Sequence, residues 1–305
     1  MTYNQLWKRL TAIYNEREAQ AIVRTVLDAL FGMSLTDICL GKVTQLSADD
    51  TTRLEKIMQR LEKSEPVQYV LGSEWFAGRL FDVAPGVLIP RPETEELVKW
   101  TCDEAKEKAK EDNSKEERGK EEKEVSKKGE EAPHPSILDI GTGSGCIAIT
   151  VALALPQARV TAWDISTDAL AIAAGNAHRL GASVRFEHQD ALSAPDDEER
   201  WDVIVSNPPY ICDRERADMS DNVLSFEPEL ALFVPDNDPL LFYRAIAHYA
   251  SKALKPGGRL LFETNTAYAH EVAQTMADEG FTAIEVRNDC FGKPRMVKGA
   301  FIREE

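Results

Sequence analysis

The sequence predicts a protein of the α/β class, in which a mostly parallel, doubly wound sheet follows an N-terminal helical domain. From Ser136 onward, short apolar segments alternate with helical segments, as they do in repeated βα units. The strand segments are almost continuously apolar, which is typical of parallel strands covered on both faces. Residues 1–74, by contrast, repeat their apolar positions at helical spacing. We therefore expect two domains with different architectures.

The amino-acid composition excludes several classes of protein. The chain has 305 residues, of which 43% are hydrophobic and 29% are charged, as in an ordinary globular protein. Its longest apolar stretch, residues 146–155, is too short for a membrane span, and residues 1–10 lack the apolar core of a signal peptide. The five cysteines are scattered without a CxxC pair, which argues against a disulfide or zinc framework. We expect a cytoplasmic protein with no metal site and no membrane contact.

Residues 1–74 predict a helical domain of about five helices, for which we expect a role in substrate recognition. Two features of the sequence support this prediction. Ser47 followed by Asp50 resembles a helix cap. Apolar residues form two stripes at helical spacing, namely Ala21, Ile22, Val26, Leu27 and Leu30, and then Leu54, Ile57, Met58 and Leu61.

Residues 75–90 predict a β-hairpin linker, with strands on either side of a glycine turn. The larger domain, residues 91–305, opens on Pro92, which suits the first turn of a helix. Glu93 and Glu95 would complement the positive end of that helix.

Within the larger domain, residues 103–131 form a charge-rich segment of low complexity. It contains twelve acidic and nine basic residues and almost no apolar ones. Such a segment cannot bury enough apolar surface to offset its loss of conformational entropy. We expect a solvated insert, partly helical or disordered, for which binding a partner is the alternative role.

After this insert the sequence predicts seven strands and four helices. The strands are residues 136–141, 159–165, 184–190, 201–207, 259–264, 282–288 and 295–301, and the helices are residues 146–155, 167–180, 238–254 and 267–280. No helix separates the last two strands, so we expect them to add in antiparallel fashion to one edge. In a doubly wound sheet the ligand lies at the carboxyl ends of the parallel strands.

The first of those strand ends carries the segment LDIGTGSG, residues 138–145. Its three glycines permit a sharp turn and a close approach by a ligand. No Lys-Ser/Thr pair follows, which excludes a P-loop, and the third glycine comes one residue early for a dinucleotide fingerprint. Ser144 is out of register for a serine-hydrolase elbow. The remaining pattern, D-x-G-x-G-x-G, favours an adenosyl amino acid as the ligand, with a plain strand-to-helix turn as the alternative.

Acidic residues close the next two strands. Asp164 lies twenty-three residues after Gly141, where a carboxylate can accept both hydroxyls of a ribose. Asp190 closes the third strand, where it could accept from an adenine amine. Each has a structural alternative, because either could cap a helix or a turn. Together with the glycine loop they favour a nucleoside site.

The segment SNPPY, residues 206–210, closes the fourth strand with two prolines, which cannot continue a strand ladder. If the ligand is S-adenosylmethionine, its methyl group is electrophilic and the protein must aim a nucleophile at it. The Asn207 side-chain oxygen and the Pro208 carbonyl could accept the two N–H bonds of a planar amide or amine as positive charge grows on nitrogen. Tyr210 would offer an aromatic face. We expect Asn207, Pro208, Pro209 and Tyr210 to bind and activate a planar NH₂ group.

Taken in order behind a helical domain, IPRPETE (89–95), LDIGTGSG, SNPPY and FEPELAL (226–232) resemble the release-factor glutamine methyltransferases of the PrmC/HemK type. The resemblance covers nearly the whole chain outside residues 103–131. It implies a class I, Rossmann-like methyltransferase that uses S-adenosylmethionine to methylate N5 of the glutamine in the Gly-Gly-Gln motif of peptide-chain release factors. It also implies that Pro90-Arg91-Pro92 runs close to the active site.

The same resemblance assigns residues to roles. The implied cofactor contacts are Gly141, Thr142, Gly143, Ser144, Gly145, Asp164, Asp190, Ala191 and Asn207. Asn207, Pro208, Pro209 and Tyr210 would receive the glutamine amide and carry catalysis. The sequence departs from the family in its long charged insert and at Asn265, where a glycine is frequent, so the conformation of that strand-end loop stays open.

Three other functions compete with this one. A DNA adenine-N6 methyltransferase could present residues 207–210 to a flipped base, but a net charge of −16 disfavours nucleic acid as a partner. A scaffold that binds the cofactor without catalysis would not need the SNPPY loop. A glutamine methyltransferase acting on a ribosomal protein would use the same chemistry. The residues alone do not separate it from an enzyme acting on release factors, which we rank first.

Overall fold

The computed structural model describes residues 1–121 and 134–302. These residues divide into two compact units. The first joins Met1–Ser73 with two short segments, Val83–Pro85 and Asp218–Glu227, and the second holds the remaining described residues. No pattern in the sequence indicates that residues 218–227 belong with the helical unit.

The first unit is helical. Its helices before residue 72 are α1 (Tyr3–Arg9), α2 (Glu16–Phe31), α3 (Leu35–Cys39), α4 (Ala48–Leu61) and α5 (Val67–Leu71). The first four are capped by Thr2, Asn15, Ser34 and Ser47, whose side-chain oxygens each accept a backbone N–H. The predicted cap at Ser47 is confirmed, with the Asp50 N–H as its donor. The helices share one apolar core, which includes Leu6, Val23, Val26, Leu27, Leu54, Met58 and Leu61.

The buried face of α2 differs from the predicted stripe. Ala21 is exposed, whereas Ala19 and Val23 are buried together with Val26 and Leu27. Val23, Val26 and Leu27 follow Ala19 by four, seven and eight residues, which places all four side chains on one side of a helix. Ala21 lies on another side of α2, and exposing its short side chain to water costs little free energy.

The strands belong to three sheets. They are β1 (Ser73–Phe76), β2 (Arg79–Asp82), β3 (Ser136–Ile140), β4 (Arg159–Asp164), β5 (Val184–His188), β6 (Trp201–Ser206), β7 (Ile211–Cys212), β8 (Phe233–Val234), β9 (Leu254–Glu263), β10 (Phe281–Asn288) and β11 (Pro294–Phe301). β1 pairs with β2, and β7 with β8. The other seven form the central sheet. The short β7 and β8 have no recognisable sequence signal, since two residues cannot display a period.

The central sheet has the order β10-β11-β9-β6-β3-β4-β5. β3, β4, β5, β6 and β9 run parallel, and β11 and β10 add antiparallel at one edge. The predicted doubly wound, mostly parallel, seven-stranded sheet is therefore confirmed. The strand order reverses between β3 and β6, and the crevice at such a reversal is where ligands bind in open α/β sheets.

The helices that follow β2 in the described residues are α6 (Thr94–Glu121), α7 (Cys146–Ala154), α8 (Thr167–Leu180), α9 (Asp221–Phe226), α10 (Glu229–Leu232), α11 (Leu241–Ala253) and α12 (Ala269–Asp278), of which α9 belongs to the first unit. Helices of the second unit cover both faces of the central sheet. Ile137 and Val203 face α6 and α7 in one core, while Leu138 and Ile204 face α11 and α12 in the other. Among the helices of the described ranges, none combines the length and apolar character needed to cross a bilayer.

Helix α6 carries the first part of the charge-rich segment. Glu104 is 4% exposed and accepts hydrogen bonds from the Lys298 ammonium at 2.6 Å, the Arg259 guanidinium at 3.3 Å and the Trp100 indole at 3.0 Å. The prediction of a partly helical insert is confirmed as far as Glu121, but the beginning of the insert is not solvated, because cations on β9 and β11 compensate the buried Glu104 carboxylate. Residues 122–131 of the segment lie outside the described residues.

Candidate active site

The glycine loop follows β3 and leads into α7. Gly141, Gly143 and Gly145 have positive φ angles of 77°, 55° and 82°, which residues with a Cβ rarely adopt. The N–H groups of Gly141 and Thr142 both donate to the Trp163 carbonyl at 2.9 Å, which ties the loop to β4. A Cβ added at Gly141 or Gly143 would meet nothing within 4 Å, so a ligand can approach the backbone there.

Gly145 serves packing instead. A Cβ at this position would lie 2.7 Å from Ile149 Cδ1 and 3.1 Å from the Ala173 Cβ. The absence of a side chain therefore lets the start of α7 approach α8 closely.

We expect Gly145→Ala to lower the free energy of unfolding by about 2–4 kcal/mol, because strain at positive φ adds to a steric overlap. Gly143→Ala is the matched control, since its φ is also positive but its surroundings are open, and we expect a loss of about 1–2 kcal/mol. Denaturant unfolding of both variants measures the difference. Equal losses would mean that backbone strain alone requires glycine at both positions.

Asp164 ends β4 and supports the glycine loop. Its Oδ2 accepts the Gly143 N–H at 2.8 Å, and its Oδ1 accepts the Ser166 N–H at 2.9 Å. Ser166 caps α8, because its hydroxyl accepts the Ala169 N–H, so Asp164 is not the helix cap, although its bond to the Ser166 N–H supports the turn before α8. A carboxylate offers about four acceptor positions, and Asp164 can therefore hold the loop and still accept from a ligand.

Asp190 follows β5 and does act as a cap. Its Oδ1 accepts the Leu192 N–H at 2.8 Å at the start of a short 3₁₀ turn. Near the two acids, Ile165 and Leu192 are large apolar side chains that are 43% and 45% exposed. Both line the cavity described below, where an apolar ligand group could cover them.

The Asn207–Tyr210 loop is anchored at both ends. The Ser206 hydroxyl donates to the Ile140 carbonyl at 2.7 Å, which fixes the end of β6 to the end of β3. At the other end, Asn265 Nδ2 donates to the Tyr210 carbonyl at 3.3 Å, while its Oδ1 accepts the Ala267 N–H at 3.0 Å. Asn265 has a φ of −59°, so this strand-end loop does not require a glycine.

A cavity of about 310 Å³ lies at these strand ends. The predicted site residues that line it are Gly141, Gly143, Asp164, Asp190, Ala191, Asn207, Pro208 and Pro209. Thr142, Ser144 and Gly145 are buried within the turn and are not among the residues that line the cavity, and neither is Tyr210. The structure thus brings most of the predicted residues together and gives the others a supporting position.

Asp139, in β3, is a buried acid that the sequence marks only by its place in the glycine motif. Its Oδ2 accepts from the Thr142 hydroxyl at 2.6 Å and from the Ala148 N–H at 3.2 Å. Among the described residues, none donates to its Oδ1. Burial raises the pKa of Asp139 to about 7. A cation bound beside it would favour the ionised form.

Thr94 and Glu263 also border the Asn207–Tyr210 loop without any local sequence signal. The Thr94 hydroxyl donates to Glu263 at 2.7 Å, and the Tyr210 hydroxyl donates to the same carboxyl group at 3.3 Å. Burial raises the pKa of Glu263, and burial together with the nearby negative charge of Glu263 raises the pKa of Tyr210. Tyr210 is therefore a neutral phenol.

The strand order and the glycine loop, with acids closing the following strands, define a class I methyltransferase fold. Residues 3–72 match the family model for the PrmC N-terminal domain, and residues 127–225 match the model for the methyltransferase small domain.

Relatives that match most of the chain define the family. A protein of Bacteroides thetaiotaomicron named release factor glutamine methyltransferase is 44% identical over 94% of this chain and 95% of its own. A protein of the same name from Flavobacterium psychrophilum is 37% identical over 97% of both chains. One from Koribacter versatilis is 38% identical over 84% of this chain and 81% of its own. The chain belongs to the release factor glutamine methyltransferase family, which confirms the resemblance inferred from its motifs.

Proposed function

We propose that this chain transfers a methyl group from S-adenosylmethionine to N5 of the glutamine in the Gly-Gly-Gln motif of peptide-chain release factors. The observation that carries the proposal is the meeting of four strand ends at one cavity, with the glycine loop, Asp164, Asp190 and Asn207 in its wall. The names of the relatives support release factors as the protein substrates.

The residues at the cavity fit this cofactor, which carries positive charge on its sulfonium and ammonium groups. Asp164 and Asp190 make the lining acidic. Behind the lining, the buried Asp139 has an oxygen to which no described residue donates. Asp164 would accept from the ribose hydroxyls. Ile165 and Leu192 would cover the faces of the adenine, with Asp190 or Ala191 beside its amine.

When bound, the cofactor supplies an electrophilic methyl group, and the chain's own residues orient the nitrogen that receives it. Asn207 Oδ1 accepts one N–H of the glutamine amide, and the Pro208 carbonyl accepts the other. Both acceptors bind more strongly as positive charge grows on the nitrogen, which stabilises the transition state. The prolines fix φ and so hold the loop in place before the substrate arrives. The nitrogen loses its extra proton to water after the transfer.

Mass spectrometry of a purified release factor incubated with this protein and S-adenosylmethionine tests the proposal. We expect a mass gain of one methyl group, located by fragmentation on the Gly-Gly-Gln glutamine. A release factor in which that glutamine is replaced by alanine is the control and should gain none. Cofactor binding without this methylation would overturn the proposed substrate, and methylation of a ribosomal protein or of DNA would identify the alternative.

A further inference from the structure

We propose that Glu263 and Thr94 are positioning residues that fix the orientation of the Asn207 side-chain amide, so that its oxygen and not its nitrogen is offered to the substrate. The inference rests on the proposed function and deepens it. It concerns how the loop that receives the glutamine is set before the substrate binds.

The sheet register brings the two ends of this network together. On the parallel strands β6 and β9, Ser206 pairs with Phe262, so Asn207 and Glu263 each follow the same register pair. Thr94, the first residue of α6, is 3% exposed, and Glu263 is 1% exposed. An acid this deeply buried is rare unless its oxygens are satisfied.

Hydroxyl groups satisfy both oxygens of Glu263. Thr94 Oγ1 donates to Oε2 at 2.7 Å, and the Tyr210 hydroxyl donates to Oε1 at 3.3 Å. The Glu263 carbonyl accepts in addition from the Tyr243 hydroxyl at 3.1 Å, which holds the strand end itself. One side chain thus engages Tyr210 directly and reaches Asn207 through Thr94.

The number of available protons sets the direction of the chain of hydrogen bonds. Thr94 has a single hydroxyl proton, and an ionised carboxylate has none to donate, so this proton points to Glu263. The Thr94 oxygen then presents only lone pairs to Asn207, whose Nδ2 lies 3.5 Å away. The NH₂ end of the amide is the end that complements them, and Oδ1 is left for the substrate amide.

The opposite orientation would prevent the proposed chemistry. If the Thr94 proton were free to point at Asn207, Oδ1 would turn toward Thr94 and the NH₂ group would face the substrate. An NH₂ group cannot accept an N–H from the glutamine amide, and it would repel positive charge developing on nitrogen. While it is ionised, the Glu263 carboxylate excludes this arrangement, because it accepts the only hydroxyl proton of Thr94.

Thr94→Val removes the hydroxyl and keeps the shape of the side chain. We expect it to lower kcat for release-factor methylation by about 10- to 100-fold, less than the complete loss of one preorganised dipole, with KM and S-adenosylmethionine affinity much less affected. Thr94→Ser restores the hydroxyl and should recover the larger part of kcat. Glu263→Gln should resemble Thr94→Val, because a glutamine NH₂ group can donate to Thr94 and release its proton toward Asn207.

A double-mutant cycle separates positioning from general damage to the fold. In an Asn207→Ala background there is no amide to orient, so Thr94→Val should lower single-turnover rates by less than about twofold. An equal loss in both backgrounds, or no loss in the wild-type background, would overturn the inference. If valine at this position prevents folding, Glu263→Gln in the two backgrounds gives the same test. Failure of wild-type protein to methylate a release factor would instead count against the proposed function.

The pH dependence of kcat gives a second test of this inference. Groups that act electrostatically on Glu263 include Tyr210, Tyr243, Arg295, Glu93 and Cys146, and burial raises the pKa of Glu263. Protonated Glu263 can donate to Thr94, so kcat should fall as the pH drops through this raised pKa. Glu263→Gln should lose this acid limb, and an identical limb in that variant would contradict the proposal. Because the folded-state pKa is raised, protonating Glu263 stabilises the fold, so the limb would not reflect unfolding through this group.

Discussion

Asn207→Ala should reduce kcat for methylation of the release-factor glutamine by about two to three orders of magnitude, as loss of an oxyanion-hole dipole does. The reason is that the Asn207 oxygen gains interaction energy mainly in the transition state, when the substrate nitrogen becomes positive. The dissociation constant for S-adenosylmethionine should stay within a few-fold, because the cofactor keeps Asp164 and the glycine loop. Steady-state kinetics with calorimetry of cofactor binding measures both quantities.

Asn237→Ala is a matched control for that variant, because Asn237 is exposed and does not line the cavity. It should retain wild-type turnover, and thermal unfolding should show both variants folded. Wild-type turnover in Asn207→Ala would show that the Asn207 side-chain oxygen does not hold the substrate amide during methyl transfer. A large loss of cofactor affinity with little change in kcat would instead move Asn207 from catalysis to cofactor binding.

The sheet was predictable because its signals are local. β3, β4 and β6 are rich in apolar residues, and β3 and β4 are each followed by a turn and a helix. Gly141, Asp164, Asp190 and Asn207 could be placed at one edge because the carboxyl ends of parallel strands meet there. Their place in one cavity wall follows from the strand order.

The supporting network was not predictable because its contacts are far apart in sequence. Thr94 and Glu263 are separated by 169 positions, and no local sequence pattern around either residue predicts their contact. The acids of the IPRPETE segment show the same limitation. Besides lying near the start of a helix, Glu95 accepts the Ala77 N–H at 2.8 Å, a contact that the helix-dipole interpretation does not contain.

The prediction from composition failed at the start of the charge-rich segment for a related reason, because the partners of its charged residues lie far away in the sequence. A run of acidic and basic residues predicts a solvated chain when its partners are unknown. Glu104 instead binds Arg259 and Lys298, which belong to strands more than one hundred residues later in the sequence. The helix that contains it packs against the sheet through an apolar side that includes Leu97, Val98 and Ala105, and the buried Glu104 extends that packing into the charge-rich segment.

Asp164→Ala should act on the cofactor and not on the chemical step. Two charge-assisted hydrogen bonds to ribose hydroxyls would be lost, worth together about 3 kcal/mol, and we expect S-adenosylmethionine to bind about 100-fold more weakly. The support of the Gly143 N–H by the Asp164 carboxylate would be lost as well. Calorimetric titration measures the affinity directly, and the KM for the cofactor should rise more than kcat falls.

Asp168→Ala is the control for charge near the same helix, because Asp168 is exposed in the first turn of α8. It should change cofactor affinity little, since its carboxylate does not line the cavity. Asp164→Asn separates charge from shape: it keeps one acceptor oxygen and should bind the cofactor more tightly than the alanine variant. If Asp164→Ala binds S-adenosylmethionine as tightly as the wild type, the ribose assignment is wrong. The acid would then serve only to hold the glycine loop through Gly143 and Ser166.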